Sequence, residues 1–282
     1  MADVDPFILR RVVWLRHIPW LADADLADLT LLAENLTELR HARGALVLPA
    51  GVRPPALHIV VEGELAAGAM TWAPHGIVGG VEVLARRPLR AAVIATRASR
   101  TLQLLSGDAR ELLEENIQLL RAALRALAGR VSEAPPPTVP SALGNPLGFV
   151  DRLLLLRDQS AYTGARLDAL ARLAHASREV QFPAGTPIVR AGEAARGSFV
   201  IVDGSAIGPQ GELGPGHTIG ALETLAEVPH PATITSRTPV RALETCAGTM
   251  FDVIEDHSDL GMAMLASFAT TLAEGGTLAA QA

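Results

Sequence analysis

The sequence predicts a mainly β protein with flanking α-helices (α+β), arranged as two tandem domains that each end in a long α-helix. Three observations support this fold class: a repeat at half the chain length, short β-type runs separated by glycine, and amphipathic segments before and after those runs. Strands of about five residues joined by tight glycine turns favour a small barrel or sandwich.

The repeat has no gaps: the chain of 282 residues matches itself at an offset of 141 residues, half its length. The segment Gly44-ALVLPA-Gly51 falls on Gly185-TPIVRA-Gly192. Further glycine and proline positions coincide: Gly63 with Gly204, Gly79 with Gly220, Pro88 with Pro229 and Gly107 with Gly248. Because glycine and proline mark turns, and turns fix the backbone geometry, these matches indicate a duplicated domain.

A proline-rich segment, VSEAPPPTVPSALGNPLGF at 131–149, separates the two copies and predicts a semi-rigid, extended linker. We therefore predict domain 1 over residues 1–131, a linker over 132–149 and domain 2 over 150–282. Residues 1–141 hold 15 Arg and 15 Asp+Glu, and residues 142–282 hold 9 Arg and 15 Asp+Glu, so the net charges are 0 and −6. This difference indicates that the copies no longer do the same job.

Hydrophobic spacing gives the order of elements within each copy. An amphipathic helix is predicted over about 23–38, with its counterpart over about 164–178. The β-type runs follow as ALVLPA, LHIVVEG, RAAVIAT and TLQLL in copy one, and as PIVRA, SFVIVDG, ATITS and VRALET in copy two. Each copy then ends in a long helix, over 108–131 and about 250–273, and the wide apolar stripe on the first of these helices needs a partner.

Composition excludes several classes of enzyme. All 24 basic residues are arginine, whereas a Walker A loop, a Schiff-base enzyme and a protein-kinase core each need a lysine. The eight histidines form no H-x-H or H-E-x-x-H motif, and no G-x-S-x-G motif occurs, so we predict no metal site, no cofactor and no nucleophilic catalyst. The single cysteine, Cys246, is expected to be a small buried apolar residue.

The same sequence argues against a membrane protein. Each apolar run is interrupted before the roughly 18 residues that span a bilayer. Acidic residues precede the first arginines, which reverses the order found in a secretory signal. We therefore predict a cytoplasmic protein without membrane insertion, and the arginine bias, typical of GC-rich coding, leads us to expect a bacterial source.

In order, these elements resemble the cyclic-nucleotide-binding domain family, which includes the catabolite activator proteins and the regulatory subunits of cyclic-AMP-dependent kinase. The resemblance covers about 14–131 and 155–273. It rests on the G-x6-G spacing, on strands ending in Val61-Glu62-Gly63 and Val202-Asp203-Gly204, and on a ligand cassette. It implies that each domain is a β-roll, a jelly-roll-like double-stranded β-helix.

The family cassette reads approximately G-E-L-A-L, then a short loop with Pro, then R-A-A-T-V. In the family the glutamate holds the ribose hydroxyl, backbone N–H groups at a helix start cradle the cyclic phosphate, and the arginine neutralises it. The resemblance places the ligand residues of domain 1 at Gly79, Gly80, Val81, Glu82, Arg90 and Ala91. It places the equivalent positions of domain 2 at Gly220, Ala221, Leu222, Glu223, His230 and Ala232.

Both cassettes depart from the family pattern. Gly80 and Ala221 stand where the ribose glutamate is expected, and neither side chain can accept a hydrogen bond. Glu82 and Glu223 stand where the family has a small residue beside the phosphate, and a carboxylate there would repel a phosphate by on the order of 1 kcal/mol or more. Domain 2 also has His230 in place of the phosphate arginine, so its site is predicted to be degenerate.

Two interpretations of the glutamates remain open. Each carboxylate could cap free N–H groups of the cassette helix and so substitute for the phosphate, with Glu82 also pairing with Arg90. Alternatively, both side chains point to solvent. Arg90 stands one position later than in the kinase-type pattern, and the neighbouring arginines are either a local anion site or solvated loop residues.

The leading functional prediction is a non-enzymatic regulatory or adaptor protein that acts through an unidentified protein partner. The alternative is a genuine receptor for a cyclic nucleotide or another phosphorylated ligand through domain 1, and an enzyme on a β-roll is least favoured. Only AEGGTLAAQA follows Leu272, so we expect no DNA-binding domain and no nucleic-acid partner. The two long helices are expected to pair within one chain as a pseudo-dimer, or between two chains as a homodimer.

Overall fold

The computed structural model describes residues 6–22, 24–131 and 146–275. Contacts divide the chain into two compact units: unit 1 contains Met1–Ala123 and Phe268–Ala282, and unit 2 contains Leu124–Ser267. Residues 132–145 of the predicted linker lie outside the described residues. The predicted domain limits therefore stay a prediction.

The first half of the chain begins with helices and continues with eight short strands. The helices α1 (Pro6–Leu15) and α2 (Leu26–Glu34) flank a 3-10 turn at Pro19–Leu21, and Asp25 caps α2 by accepting a hydrogen bond from the N–H of Asp28. The strands are β1 (Thr37–His41), β2 (Leu46–Leu48), β3 (Ala56–Glu62), β4 (Leu65–Ala67), β5 (Met70–Trp72), β6 (Ile77–Val78), β7 (Val93–Ala95) and β8 (Ser99–Leu105). Helix α3 (Gly80–Ala85) lies between β6 and β7, and α4 (Ser106–Glu115) and α5 (Ile117–Ala128) follow β8.

These strands form two antiparallel sheets, in the orders β1-β8-β3-β6 and β2-β7-β4-β5. One buried cluster fills the space inside the roll and includes Leu48, Val60, Leu65, Val78 and Val93. A second cluster packs α1, α2 and α4 against the outer face of the first sheet, through Leu15, Leu29, Ile59, Leu102 and Leu112. Alternating residues of β3, such as Ile59 and Val60, therefore serve the two clusters in turn.

The second half repeats this series at a constant offset. Its helices are α6 (Phe149–Arg157), α7 (Leu167–Ala176), α8 (Ala221–Ala226), α9 (Ala247–Asp256) and α10 (Ser258–Gly275). Its strands are β9 (Arg178–Phe182), β10 (Pro187–Val189), β11 (Gly197–Asp203), β12 (Ala206–Gly208), β13 (Gly211–Leu213), β14 (Thr218–Ile219), β15 (Ile234–Ser236) and β16 (Val240–Cys246). Each strand begins 141 residues after its counterpart, as Arg178 does after Thr37.

The sheets of unit 2 have the same connectivity, in the orders β14-β11-β16-β9 and β10-β15-β12-β13. The predicted fold class, mainly β with flanking helices in two β-rolls, is confirmed. No helix of the described residues is long and apolar enough to cross a membrane.

The terminal helices differ from the predicted spans 108–131 and 250–273, because each is divided in two. The first break is at Asn116, whose backbone is extended (φ −120°, ψ 103°), and its Oδ1 accepts hydrogen bonds from the N–H groups of Gln118 and Leu119 at 2.9 and 3.0 Å. Asparagine thus starts α5 as an N-cap and ends the helix before it. The second break is at His257 (φ −136°, ψ 76°), between α9 and α10.

The expectation for Cys246 is wrong, because this residue is exposed. It is the last residue of β16 and precedes the first turn of α9, where strand alternation turns its side chain away from the interior.

Candidate functional site

The two cassette helices, α3 and α8, share one backbone geometry. Each has six residues and is preceded by a left-handed glycine, Gly79 (φ 79°) or Gly220 (φ 80°). Each also ends on a left-handed residue that is not glycine, Arg86 (φ 53°) or Glu227 (φ 55°). A backbone of this hand favours glycine, so the glycine pair that identified the repeat also positions the first turn of each cassette helix.

The glycine before α8 is required for a second reason. A Cβ atom on Gly220 would lie 3.0 Å from the carbonyl oxygen of Gly197 and 3.0 Å from Cε1 of His230. On Gly79 it would meet a flexible side chain, Cδ1 of Leu48, at 3.1 Å. The cassette of unit 2 is therefore packed more tightly against its surroundings than that of unit 1.

Thr224 holds α8 in this position, and sequence reasoning missed it. Its Oγ1 lies 2.9 Å from the carbonyl oxygen of Gly197 and 2.6 Å from that of Gly220, and the residue is 1% exposed. The counterpart in unit 1 is Val83, which has no hydroxyl. The signal was a threonine facing an otherwise apolar position of the other copy.

Glu82 and Glu223 occupy the first turns of α3 and α8 and are half-buried. Neither side chain forms a hydrogen bond or an ion pair with any residue in the described part of the chain. The geometry therefore gives no support to capping of the free N–H groups by these carboxylates. The pairing of Glu82 with Arg90 is not formed either.

Arg90 instead contacts helix α10, whose residues from Phe268 onwards belong to unit 1. Its Nη2 donates a hydrogen bond to the backbone carbonyl of Glu274 at 3.3 Å. The neighbouring Arg87 donates to Oε1 of the same residue at 2.5 Å. Cationic groups are favoured at this end of a helix, where carbonyl groups carry partial negative charge.

A similar contact follows the cassette helix of unit 2. Arg125, at the end of α5, donates from Nη2 to Oε2 of Glu227 at 2.5 Å. In each unit, therefore, the loop after the cassette helix forms an ion pair with a terminal helix. Both pairs are partly exposed, and such pairs typically contribute about 0–1 kcal/mol.

His230, which replaces the phosphate arginine in unit 2, is 6% exposed. Its N–H donates to the carbonyl of Glu193, and its carbonyl accepts from the N–H of Gly192, both at 2.9 Å. These bonds fix the loop before β15 against the loop after β10. An imidazole is shorter than a guanidinium and lacks its two-pronged donor pattern, so His230 cannot reproduce the phosphate contact of the family arginine.

A cavity of about 440 Å³ lies beside His230 in unit 2. It is lined by Ile188, Val189, Glu193, Ala194, Arg196, Gly197, Phe199, His230 and Glu244. His230 is the one residue of the twelve proposed ligand positions that lines it, so the structure does not bring the remaining positions of domain 2 to this cavity. Glu244 already pairs with Arg178 at 2.6 Å, and Glu193 with Arg190 at 3.7 Å.

Comparison with known proteins identifies the class of this fold. Residues 179–257, from β9 to the end of α9, match the family model described as the cyclic nucleotide-binding domain. The matched segment lies in unit 2, which carries His230. No curated protein matches the chain.

Solved structures give matches of low sequence identity. The regulatory domain of Toxoplasma gondii PKA, crystallised with cAMP, is 17% identical over 92% of this chain and 99% of that chain, with a TM-score of 0.38. The regulatory subunit of a cAMP-independent protein kinase A from Trypanosoma brucei is 18% identical over 92% and 91% of the two chains, with a TM-score of 0.37. The N-terminal domain of a transcriptional regulator from Streptomyces coelicolor A3(2) is 22% identical over 43% of this chain and 92% of that chain, with a TM-score of 0.39.

Proposed function

We propose that this chain is a non-enzymatic regulatory or adaptor protein of a bacterial cytoplasm, built from two cyclic-nucleotide-binding-like domains whose ligand sites are degenerate. In this proposal it acts through a protein partner. The observation that carries it is the engagement of Arg90, the arginine that the resemblance assigns to the phosphate, with the carbonyl of Glu274.

Two further observations support a degenerate site. Gly80 and Ala221 offer no side-chain acceptor for a ribose hydroxyl. The half-buried carboxylates of Glu82 and Glu223 add negative charge to the turns that would receive a phosphate. A cyclic nucleotide would therefore have to displace Glu274 from Arg90 and overcome this repulsion, with no ribose contact to compensate.

Calorimetric titration of cyclic AMP and cyclic GMP into the intact protein tests the proposal. We expect no binding up to about 1 mM ligand, since at that affinity the binding free energy is only about −4 kcal/mol. Arg90→Ala is the test variant, and Arg97→Ala is the matched control, because Arg97 is also exposed and donates to a backbone carbonyl, that of Gly63 at 3.2 Å. Binding near 1 μM or tighter that Arg90→Ala removes and Arg97→Ala preserves would make the protein a receptor instead.

We also propose that the terminal helices pair within one chain, as a pseudo-dimer. Sedimentation equilibrium of the purified protein is then expected to give the mass of one chain, 29.6 kDa, across the accessible concentration range. A species of twice this mass that dissociates on dilution would show that the homodimer is the correct arrangement.

A further inference from the structure

Two histidines of unit 1 meet at one buried hydroxyl group. Nε2 of His41, the last residue of β1, lies 2.9 Å from Oγ1 of Thr101 in β8. Nδ1 of His58 in β3 lies 3.2 Å from the same oxygen. Thr101 is 0% and His58 is 2% exposed, while His41 is half-buried. The imidazole centroids are 5.9 Å apart. We call these three residues the histidine triad.

Unit 2 has the same arrangement without a titratable group. The positions 141 residues later are Phe182, Ala242 and Phe199. The two phenylalanine rings are also edge-to-face, with centroids 5.7 Å apart. Both are packed against the buried cluster inside the roll of unit 2. The backbone therefore accepts an apolar pair at this place, and the polar triad is not needed to form a β-roll.

The triad can satisfy its hydrogen bonds in a limited set of protonation states. The hydroxyl of Thr101 has one proton to donate, so with both rings neutral it donates to one imidazole and accepts from the other. A single added proton is accommodated, because a charged His41 donates to Thr101 and Thr101 donates to neutral His58. When both rings are charged, both can only donate, and the hydroxyl proton loses its acceptor within the triad.

The surroundings offer the buried ring no compensating charge through a hydrogen bond. Arg100, the charged residue of β8, alternates to the other face of the sheet, where it pairs with Glu38 of β1 at 3.3 Å and Glu62 of β3 at 3.6 Å. Helix α3, which packs on β3, carries Glu82, which forms no hydrogen bond with either histidine. Strand β6, Ile77–Val78, is apolar. The residues that the second sheet contributes to the roll interior are apolar as well: Val47, Leu48, Leu65, Ala67, Trp72, Val93 and Ala95.

We propose that the histidine triad makes the β-roll of unit 1 acid-labile, so that mild acid weakens this roll by charging His58 beside a charged His41. Two cations then share one hydroxyl in an interior without a counter-charge.

The shifts of the pKa values agree in direction with this arrangement. Burial, and to a smaller extent the charge of His41, lower the pKa of His58 from 6.5 to about 4, and burial also lowers the pKa of His41. The folded state thus favours neutral rings, and the unfolded chain binds the extra protons. The stability that neutrality provides is complete above pH 6.5 and is lost as the pH falls from 6.5 towards 4.

Tryptophan fluorescence of the intact protein isolates unit 1, because all three tryptophans of the chain, Trp14, Trp20 and Trp72, belong to it. Urea unfolding followed by this signal is compared at about pH 7.5 and about pH 5. Protonation of His58 alone is expected to raise the ratio of unfolded to folded unit 1 by about 30-fold between these conditions, which lowers the urea midpoint.

The variant His41→Phe/His58→Phe/Thr101→Ala installs the sequence of unit 2 and is expected to remove most of the acid-dependent drop in the midpoint. The single variant His58→Gln, which keeps a polar side chain that does not titrate, gives the same test if the triple variant fails to fold. His175→Gln removes an exposed histidine of α7 and is the control, with a wild-type drop expected. An equal drop in wild type and in the folded variants would overturn the proposal.

Discussion

Replacing Gly204 with alanine is expected to destabilise unit 2 by about 3–5 kcal/mol, enough to unfold a domain of ordinary stability. Gly204 has φ +86°, and a Cβ atom there would lie 2.1 Å from the carbonyl oxygen of Pro239 and 3.0 Å from Cα of Val240. Both contacts are with backbone atoms, so no side-chain rotation can relieve them. The turn after β11 would have to separate from the start of β16.

The matched control is Gly185→Ala in the same unit. Gly185 also has a left-handed backbone (φ +76°), but a Cβ atom there meets nothing within 4 Å. Only the conformational strain remains, and the expected loss is about 1 kcal/mol. Urea unfolding of both variants, followed by far-UV circular dichroism, measures the difference. Equal losses at Gly204 and Gly185 would show that the close approach to Pro239 does not constrain the fold.

Asn116→Ala is expected to cost unit 1 about 2–4 kcal/mol, because the amide side chain has two roles. Its Oδ1 accepts the hydrogen bonds that begin α5, and its Nδ2 donates to Oδ1 of Asp28 at 2.6 Å. Asp28 is 7% exposed. Truncation therefore removes a helix cap and also leaves a buried carboxylate without this donor.

Asn35→Ala is the control for this substitution. Asn35 is also a half-buried helix-end asparagine of unit 1, but its Nδ2 donates to a backbone carbonyl, that of Leu31, at 2.9 Å. Its loss is expected to change the free energy of unfolding by about 0.5–1 kcal/mol. Tryptophan-monitored urea unfolding compares the two variants. A loss at Asn116 no larger than that at Asn35 contradicts the dual role of its amide.

Much of the fold was predictable because turns and strands leave local signals. The coincident glycines, such as Gly79 and Gly220, mark left-handed positions, and these place the cassette helix in both copies. Short apolar runs between them became strands with a constant offset. The ends of the helices were harder to predict, because the apolar stripe of 108–131 continues across Asn116 and only a contact with Asp28, 88 residues away, reveals the cap.

The candidate site was predictable in its backbone and not in its contacts. The resemblance located α3, α8 and the position of His230, all of which depend on local pattern. The engagement of Arg90 by Glu274 joins residues 184 positions apart, and the hydrogen bonds of Thr224 depend on how α8 packs on β11. Distances of this kind arise from tertiary packing, which spacing along one sequence does not contain.

The two breaks in the terminal helices have unequal mechanical properties. At each break one extended residue interrupts the ladder of backbone hydrogen bonds, so a change of angle there strains few bonds on either side. The first joint is latched by the amide of Asn116, which ties α5 to α2 through Asp28. Among the described residues, the side chain of His257 forms no such tie at the second. A torque applied along these helices would therefore be transmitted through the first joint and absorbed as rotation at the second.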